Sequence, residues 1–229
     1  MCSVTAVPFD GGFRVVCNRD ERRSRPPALP ARTHRLAERT AMWPVDPAGG
    51  GTWIGANDAG LVLCVLNRTP RPDRGGTGCG GAASRGALIP RLLERPCLDD
   101  VLEDVMAMAG DQFAPFTLVA LQAGEVGVFT KIGSRRSLCR MVVSAPVLFT
   151  TSSLGDHLVD GPRRALFTDL VVRSSAPLAG QRMFHRHQWP DRPEISVRMS
   201  RPDAMTVSRT VVEVAGRSFS MRYFPLARS

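Results

Sequence analysis

MCSVTAVPFDGGFRVVCNRDE, residues 1–21, reads as the opening of an antiparallel sheet. Residues 3–8 and 13–17 are short β-branched and apolar runs, and Asp10-Gly11-Gly12 joins them with glycines that accept positive φ, which is a hairpin signal. Such a hairpin needs further strands to become stable. It also carries the polar run Asn18-Arg19-Asp20-Glu21 back beside Cys2.

Working outward, residues 22–39 are rich in Pro and Arg and lack periodicity, which predicts an irregular surface excursion. A second hairpin is expected from residues 52–55 and 61–67 around Asn57-Asp58-Ala59-Gly60. Residues 61–66 are apolar at every position, the pattern of a strand covered on both faces. Residues 69–83 hold mostly Gly and Arg and predict the most flexible loop; they lack the GxxxxGK[ST] of a phosphate-binding P-loop. Ser84 suits the cap of a helix running toward Arg95 with a kink at Pro90. A second helix over 98–108 has Asp99 and Asp100 at its positive end and Val101, Leu102, Val105 and Met106 on one stripe.

Strands are expected at 116–122 and 126–131, joined by Ala123-Gly124-Glu125, and at 141–144 and 147–151. Pro162 suits the first turn of a helix whose spacing extends over 164–172. Residues 195–199, 206–214 and 219–224 return to strands. Strand pairs with tight turns and interposed helices predict an α+β fold, a layered sandwich with antiparallel sheets, in a single domain over residues 1–229.

Composition narrows the function classes. At 229 residues, 43% hydrophobic and 22% charged, the chain has the profile of one globular domain. No run approaches the ~20 apolar residues of a membrane span. The first residues lack a basic region followed by an apolar core, so the expected location is cytoplasmic. The net charge of +9 comes from arginines and the single Lys131 against 21 acids. That balance favours anionic ligands. The arginines are spread along the chain without aromatic interleaving, so no nucleic-acid module is expected. The six cysteines, at 2, 17, 64, 79, 97 and 139, form no CxxC pair and no metal spacing with histidine, so no metal site is expected.

Three elements can carry chemistry. Cys2 directly follows Met1, and removal of Met1 leaves a thiol and an α-amine on one residue. An α-amine with a pKa of about 7.7 is partly unprotonated at neutral pH and can take the thiol proton, so one residue serves as base and nucleophile. In Asn18-Arg19-Asp20-Glu21, an arginine near the thiol favours the thiolate and a carboxylate near the amine orients it. Strand neighbours point to opposite faces, so only one of Arg19 and Asp20 faces Cys2 unless the strand ends or bulges there. Asn67, at the mouth of the 61–67 strand, offers an amide donor of the kind that stabilises an oxyanion in acyl transfer.

Taken in order, Cys2, NRDE at 18–21, GGTWIG at 50–55, NDAGLV at 57–62, LNR at 66–68 and SRG at 84–86 resemble the NRDE family, similar to Transport and Golgi organisation protein 2. The resemblance is strong over about residues 1–95 and looser beyond. It implies the four-layer αββα sandwich of two antiparallel sheets found in N-terminal-nucleophile hydrolases. It also implies a cysteine amidohydrolase acting on a non-peptide carbon–nitrogen amide bond of a small-molecule amide or acyl ligand. Cys2 is then nucleophile and, through its amine, base; Arg19 and Asp20 position it; Asn67 with a backbone N–H forms the oxyanion hole. Asn18, Glu21, Trp53, Arg85, Thr151 and Ser152 are the implied substrate contacts. Related bile-salt and penicillin V acylases place Arg and Asp three residues apart, whereas here they are adjacent, and Thr151 or Ser152 stands where such enzymes carry a later asparagine.

The reaction needs no cofactor. The same family has been connected with haem mobilisation and with acyl-CoA or lipid handling, which implies the alternative of a non-catalytic haem or acyl-CoA/lipid binding and trafficking protein. His185 and His187, with Arg71, Arg74 and Arg85, are the residues for that role. His34 and His157 are expected to be structural.

Overall fold

Alternation along the first strand separates two environments. In the computed structural model, which describes residues 2–69, 83–108, 112–216 and 218–227, β1 (Cys2–Phe9) pairs with β2 (Gly12–Arg22) as the expected hairpin. Gly11 at the turn has φ of +74°. Cys2, Val4 and Ala6 join a core with Phe13, Val15 and Cys17, while Val7 on the opposite face belongs to a different cluster.

Two antiparallel sheets result. In one, β10 (Val147–Thr150), β1, β2, β11 (Ala204–Ala215) and β12 (Ser218–Pro225) lie side by side in that order. In the other the order follows the chain: β3 (Leu29–Arg35), β4 (Thr40–Val45), β5 (Ile54–Asn57), β6 (Val62–Asn67), β7 (Phe116–Gln122), β8 (Glu125–Ile132) and β9 (Arg135–Val142). The sheets meet face to face over Val4, Val15, Cys17, Ile54, Val62 and Val119.

The outer face of the seven-stranded sheet packs under α1 (Leu88–Leu92) and α2 (Leu98–Ala107) through Leu63, Ile89, Leu92, Val101 and Leu118. That of the five-stranded sheet packs under α3 (Asp156–Phe167), a π-turn over Thr168–Val172, and α4 (Pro177–Phe184) through Val7, Leu148, Phe167, Val171 and Phe184. The architecture is therefore a four-layer αββα sandwich. β6 explains its own apolar run: Val62, Cys64 and Leu66 face the other sheet, and Leu63 and Val65 face the helices. Burying each such side chain contributes about 1.5–3 kcal/mol.

Four expectations are corrected. Residues 22–39 are not irregular throughout, because β3 pairs with β4 as an exposed edge strand, bulged between Leu29 and Arg32 where Pro30 cannot donate to a ladder. The third long helix starts at Asp156 rather than Pro162, and Pro162 lies inside it. The carbonyl its ring deprives of a partner belongs to the exposed Leu158, where water can serve instead. Residues 195–199 form turns rather than a strand, since side chains occupy their carbonyls: Arg163 donates to Ile195 O and Ser196 O, and Asn18 to Val197 O. Ser84 makes no side-chain cap; a 3₁₀ turn over Arg85–Ala87 leads into α1. The loop expected at 69–83, with Arg71 and Arg74, lies almost entirely outside the described residues.

Candidate active site

Cys2 is 4% exposed and sits on the wall of a cavity of about 340 Å³. β1 presents it at the strand end, where it pairs with Arg19 of β2. Its carbonyl accepts from Thr151 N at 3.1 Å, which closes β10 against the same end. The Cys17 thiol, two residues back on β2 and on the same face, hydrogen-bonds to the Cys2 sulfur. This holds the Cys2 thiol below its ordinary value of 9.0 although burial and the Asp20 carboxylate oppose it; Arg19 adds a smaller pull in the same direction as Cys17. Cys17 itself is pushed well above that value, by its bond to Cys2 and by burial.

Arg19 and Asp20 both line the cavity with Cys2. The irregularity that strand alternation requires is on the partner strand: β11 shifts register between Thr206 and Ser208, opposite Asp20 and Arg19. A bulge there raises the local twist and re-aims side chains. Arg19 is fixed on three sides. It donates to Asp46 Oδ2 at 2.6 Å and Glu21 Oε2 at 3.3 Å, and its guanidinium lies 4.2 Å from the ring centroid of Trp53. Asp46 also accepts from Arg25 at 2.8 Å. Burial alone would raise the Asp46 carboxyl; Arg25 and Arg19 outweigh it and hold it below its ordinary value. Asp20, 2% exposed, accepts from Thr206 Oγ1 at 2.6 Å. Burial pushes it up, against the attraction of Arg163.

Asn67 closes the far wall at the end of β6, with Val65 beside it. Trp53 and Arg85 line the same cavity, as does Glu21. The GGTWIG motif shapes this wall by close approach: a Cβ on Gly51 would stand 2.4 Å from the Gly86 carbonyl carbon, and Thr52 N donates to Gly86 O at 3.0 Å. Only glycines allow the two segments to touch.

Three implied substrate contacts stand elsewhere. Asn18 is fully buried on the other face of β2; its Nδ2 donates to His185 O and Val197 O, and its Oδ1 meets His185 Nδ1 at 3.1 Å. Asn18 is therefore not on the cavity wall, because alternation turns it toward α4. Thr151 lines a second cavity of about 810 Å³ with Leu66, Val128 and Phe149, and its hydroxyl has no hydrogen-bond partner. Ser152 serves α3: its N–H donates to Asp156 Oδ1 and its Oγ accepts from Leu154 N.

His185 is a core histidine. Nδ1 donates to Asn18 Oδ1, so Nε2 accepts from Thr5 Oγ1 at 2.7 Å, and both nitrogens are occupied. Burial, then Arg209 and Arg14, hold it well below 6.5. His187 packs edge-on against Trp189, and His34 stacks on Trp43 at 3.7 Å.

Sequence reading missed Asp46, which anchors Arg19, and Arg163, which is fully buried and donates to Ser3 Oγ, Thr150 Oγ1 and the 195–196 carbonyls. An Asp before Pro-Ala-Gly-Gly looks like a turn residue, and an Arg in a helix looks solvated. Only the partners, distant in sequence, reveal either.

The profile of the family described as Transport and Golgi organisation 2 matches residues 2–163. The chain matches no curated protein by sequence. Among solved structures it is similar to penicillin V acylase from Agrobacterium tumefaciens, at 13% identity over 99% of this chain and 86% of that one, TM-score 0.54. It is also similar to a Caenorhabditis elegans N-acylethanolamine-hydrolyzing acid amidase orthologue, at 12% identity over 92% of each chain, TM-score 0.59. A third similar structure is the C2A mutant of conjugated bile acid hydrolase from Clostridium perfringens, at 10% identity over 99% of this chain and 92% of that one, TM-score 0.51.

Proposed function

The chain belongs to the Transport and Golgi organisation 2 family and has the fold of N-terminal-nucleophile hydrolases, and on that premise we propose that it is a cysteine amidohydrolase acting on a non-peptide amide bond. The observation that carries this reading is the Cys2 thiol, lowered chiefly by Cys17, lining one small cavity with Arg19, Asp20 and Asn67.

With Met1 removed, the Cys2 α-amine takes the thiol proton and sulfur attacks the amide carbon. Asn67 Nδ2 and a backbone N–H donate to the oxyanion. The C–N bond breaks as the ammonium returns its proton to the departing nitrogen, and water then hydrolyses the thioester, restoring the thiol. Arg19, braced by Asp46 and Trp53, and Asp20, braced by Thr206, hold the nucleophile in position.

The test is hydrolysis of an N-acyl amide panel by protein whose intact mass shows loss of Met1. Cys2→Ala abolishes turnover. Turnover unchanged in that variant rejects the mechanism.

A second reading, ligand carriage, draws support from the wider cavity, whose apolar wall and unpartnered Thr151 hydroxyl suit an acyl chain or haem. Titration with haem and with an acyl thioester separates the two: a tight one-to-one complex without turnover favours carriage.

A further inference from the structure

The motif Leu66-Asn67-Arg68 holds one residue that the proposed mechanism leaves unused. Leu66 packs in the core between the sheets, and Asn67 lines the Cys2 cavity. Arg68 reaches across to the layer of the other sheet. Its Nη1 donates to Asp156 Oδ2 at 2.7 Å, at the start of α3. Asn67 ends β6 of the seven-stranded sheet and Cys2 begins β1 of the five-stranded sheet, so the spacing of the Asn67 amide and the Cys2 sulfur depends on how the two sheets are held at this end. Both cavities there are lined by residues of both sheets, which gives polar ties a part in fixing the gap. Arg19–Asp46 at 2.6 Å is one such tie. Arg68–Asp156 is another.

We propose that Arg68 and Asp156 are positioning residues, whose ion pair sets the distance between the Asn67 amide and the Cys2 sulfur. The inference rests on the amidohydrolase reading, which gives Asn67 its oxyanion. The contacts form a closed path. Arg68 holds Asp156 Oδ2, Asp156 Oδ1 accepts from Ser152 N at 2.8 Å, and the preceding residue, Thr151, donates its N–H to Cys2 O at 3.1 Å. Each Asp156 oxygen thus serves one direction. At the other end Arg68 N donates to Pro115 O at 3.0 Å and Asn67 pairs with Phe116 of β7, so the tie acts on the Asn67 backbone and is not taken up by loose chain. The two side chains are 31% and 26% exposed, and a pair so placed contributes little to stability. Its effect is on geometry, where a displacement of about 1 Å between reacting groups slows a reaction by up to about 100-fold.

The experiment compares two reactions of the Cys2 thiol in protein that has lost Met1. Acylation by p-nitrophenyl butyrate passes through an oxyanion and is read as p-nitrophenolate release above the Cys2→Ala background. Alkylation by iodoacetamide displaces iodide at a saturated carbon, forms no oxyanion, and is read by mass on the Cys2 peptide. Arg68→Met and Asp156→Asn each slow acylation about tenfold and leave alkylation unchanged, with circular dichroism confirming that each variant is folded. Arg68→Lys, which keeps the charge, restores most of the rate, and the double variant is no slower than either single one, because both remove the same tie. Acylation at the native rate in Arg68→Met overturns the inference, as does a parallel fall in both reactions or a double variant in which the two losses multiply. Asn67→Ala separates this from the reading beneath it. Where Asn67→Ala slows acylation and Arg68→Met does not, only the inference falls; where Asn67→Ala acylates at the native rate, or the native protein releases no p-nitrophenolate above background, both fall.

Discussion

At the scale of single residues, the thiol pair on neighbouring strands has the clearest consequence. Cys17 donates to Cys2 and keeps its thiol acidic within a buried setting that would otherwise raise it. Cys17→Ala therefore moves the midpoint of Cys2 alkylation by iodoacetamide to higher pH, and Cys17→Ser, which retains a donor, moves it less. Labelling must be read on the Cys2 peptide by mass, because Cys139 is exposed and reacts regardless. His185 gives a second prediction. Its folded value lies well below 6.5, so between the two values the unfolded chain binds one more proton than the folded one, and stability falls as pH drops through 6.5. The slope reaches up to about 1.4 kcal/mol per pH unit for one such group. Thermal melts between pH 7.5 and 5 show it, and His185→Gln, though less stable overall, has a shallower decline. His185 was visible in the sequence only as half of a His-x-His pair. Its meaning lies in Thr5 and Asn18, about 180 and 167 positions away.

At the scale of elements, the contacts that matter most are those where glycine stands in for space. Gly51→Ala drives a methyl into the Gly86 backbone and pushes the Arg85–Ala87 turn outward. A cost of about 1–3 kcal/mol is expected in denaturant unfolding. Removing the Arg163 guanidinium by Arg163→Met leaves Ser3, Thr150 and the 195–196 carbonyls without their shared donor. About 3–5 kcal/mol is lost if those groups remain buried and unsatisfied. Elements were legible wherever side-chain periodicity decided them: β1, β2, β6, β7 and α2 follow from alternation or a helical stripe. Residues 195–199 carry a strand pattern but give their carbonyls to Arg163 and Asn18, and α3 begins well before the proline that seemed to start it. In each case a long-range side-chain contact or a tolerated defect overrode the local signal.

At the scale of the molecule, the core shared by the two sheets joins residues from Cys2 to Val214. Far-ultraviolet ellipticity and tryptophan emission should therefore report one coincident unfolding transition; two separated midpoints would show that the layers melt independently. The sequence indicated two hairpins and alternating layers but not that they belong to different sheets, since a pattern gives a strand's faces and not its neighbours. The pairing of β2 with β11, across nearly the whole chain, is the plainest example. The three indoles fall in three separate surroundings: Trp43 flat against His34, Trp53 beneath Arg19 and near Tyr223, and Trp189 beside His187 and Arg192. Each is thus a resident optical gauge for its own neighbourhood. Because an imidazolium quenches indole light more strongly than a neutral ring, a variant retaining only Trp43 dims as acid titrates His34, while one retaining only Trp53 responds to whatever enters beside Cys2.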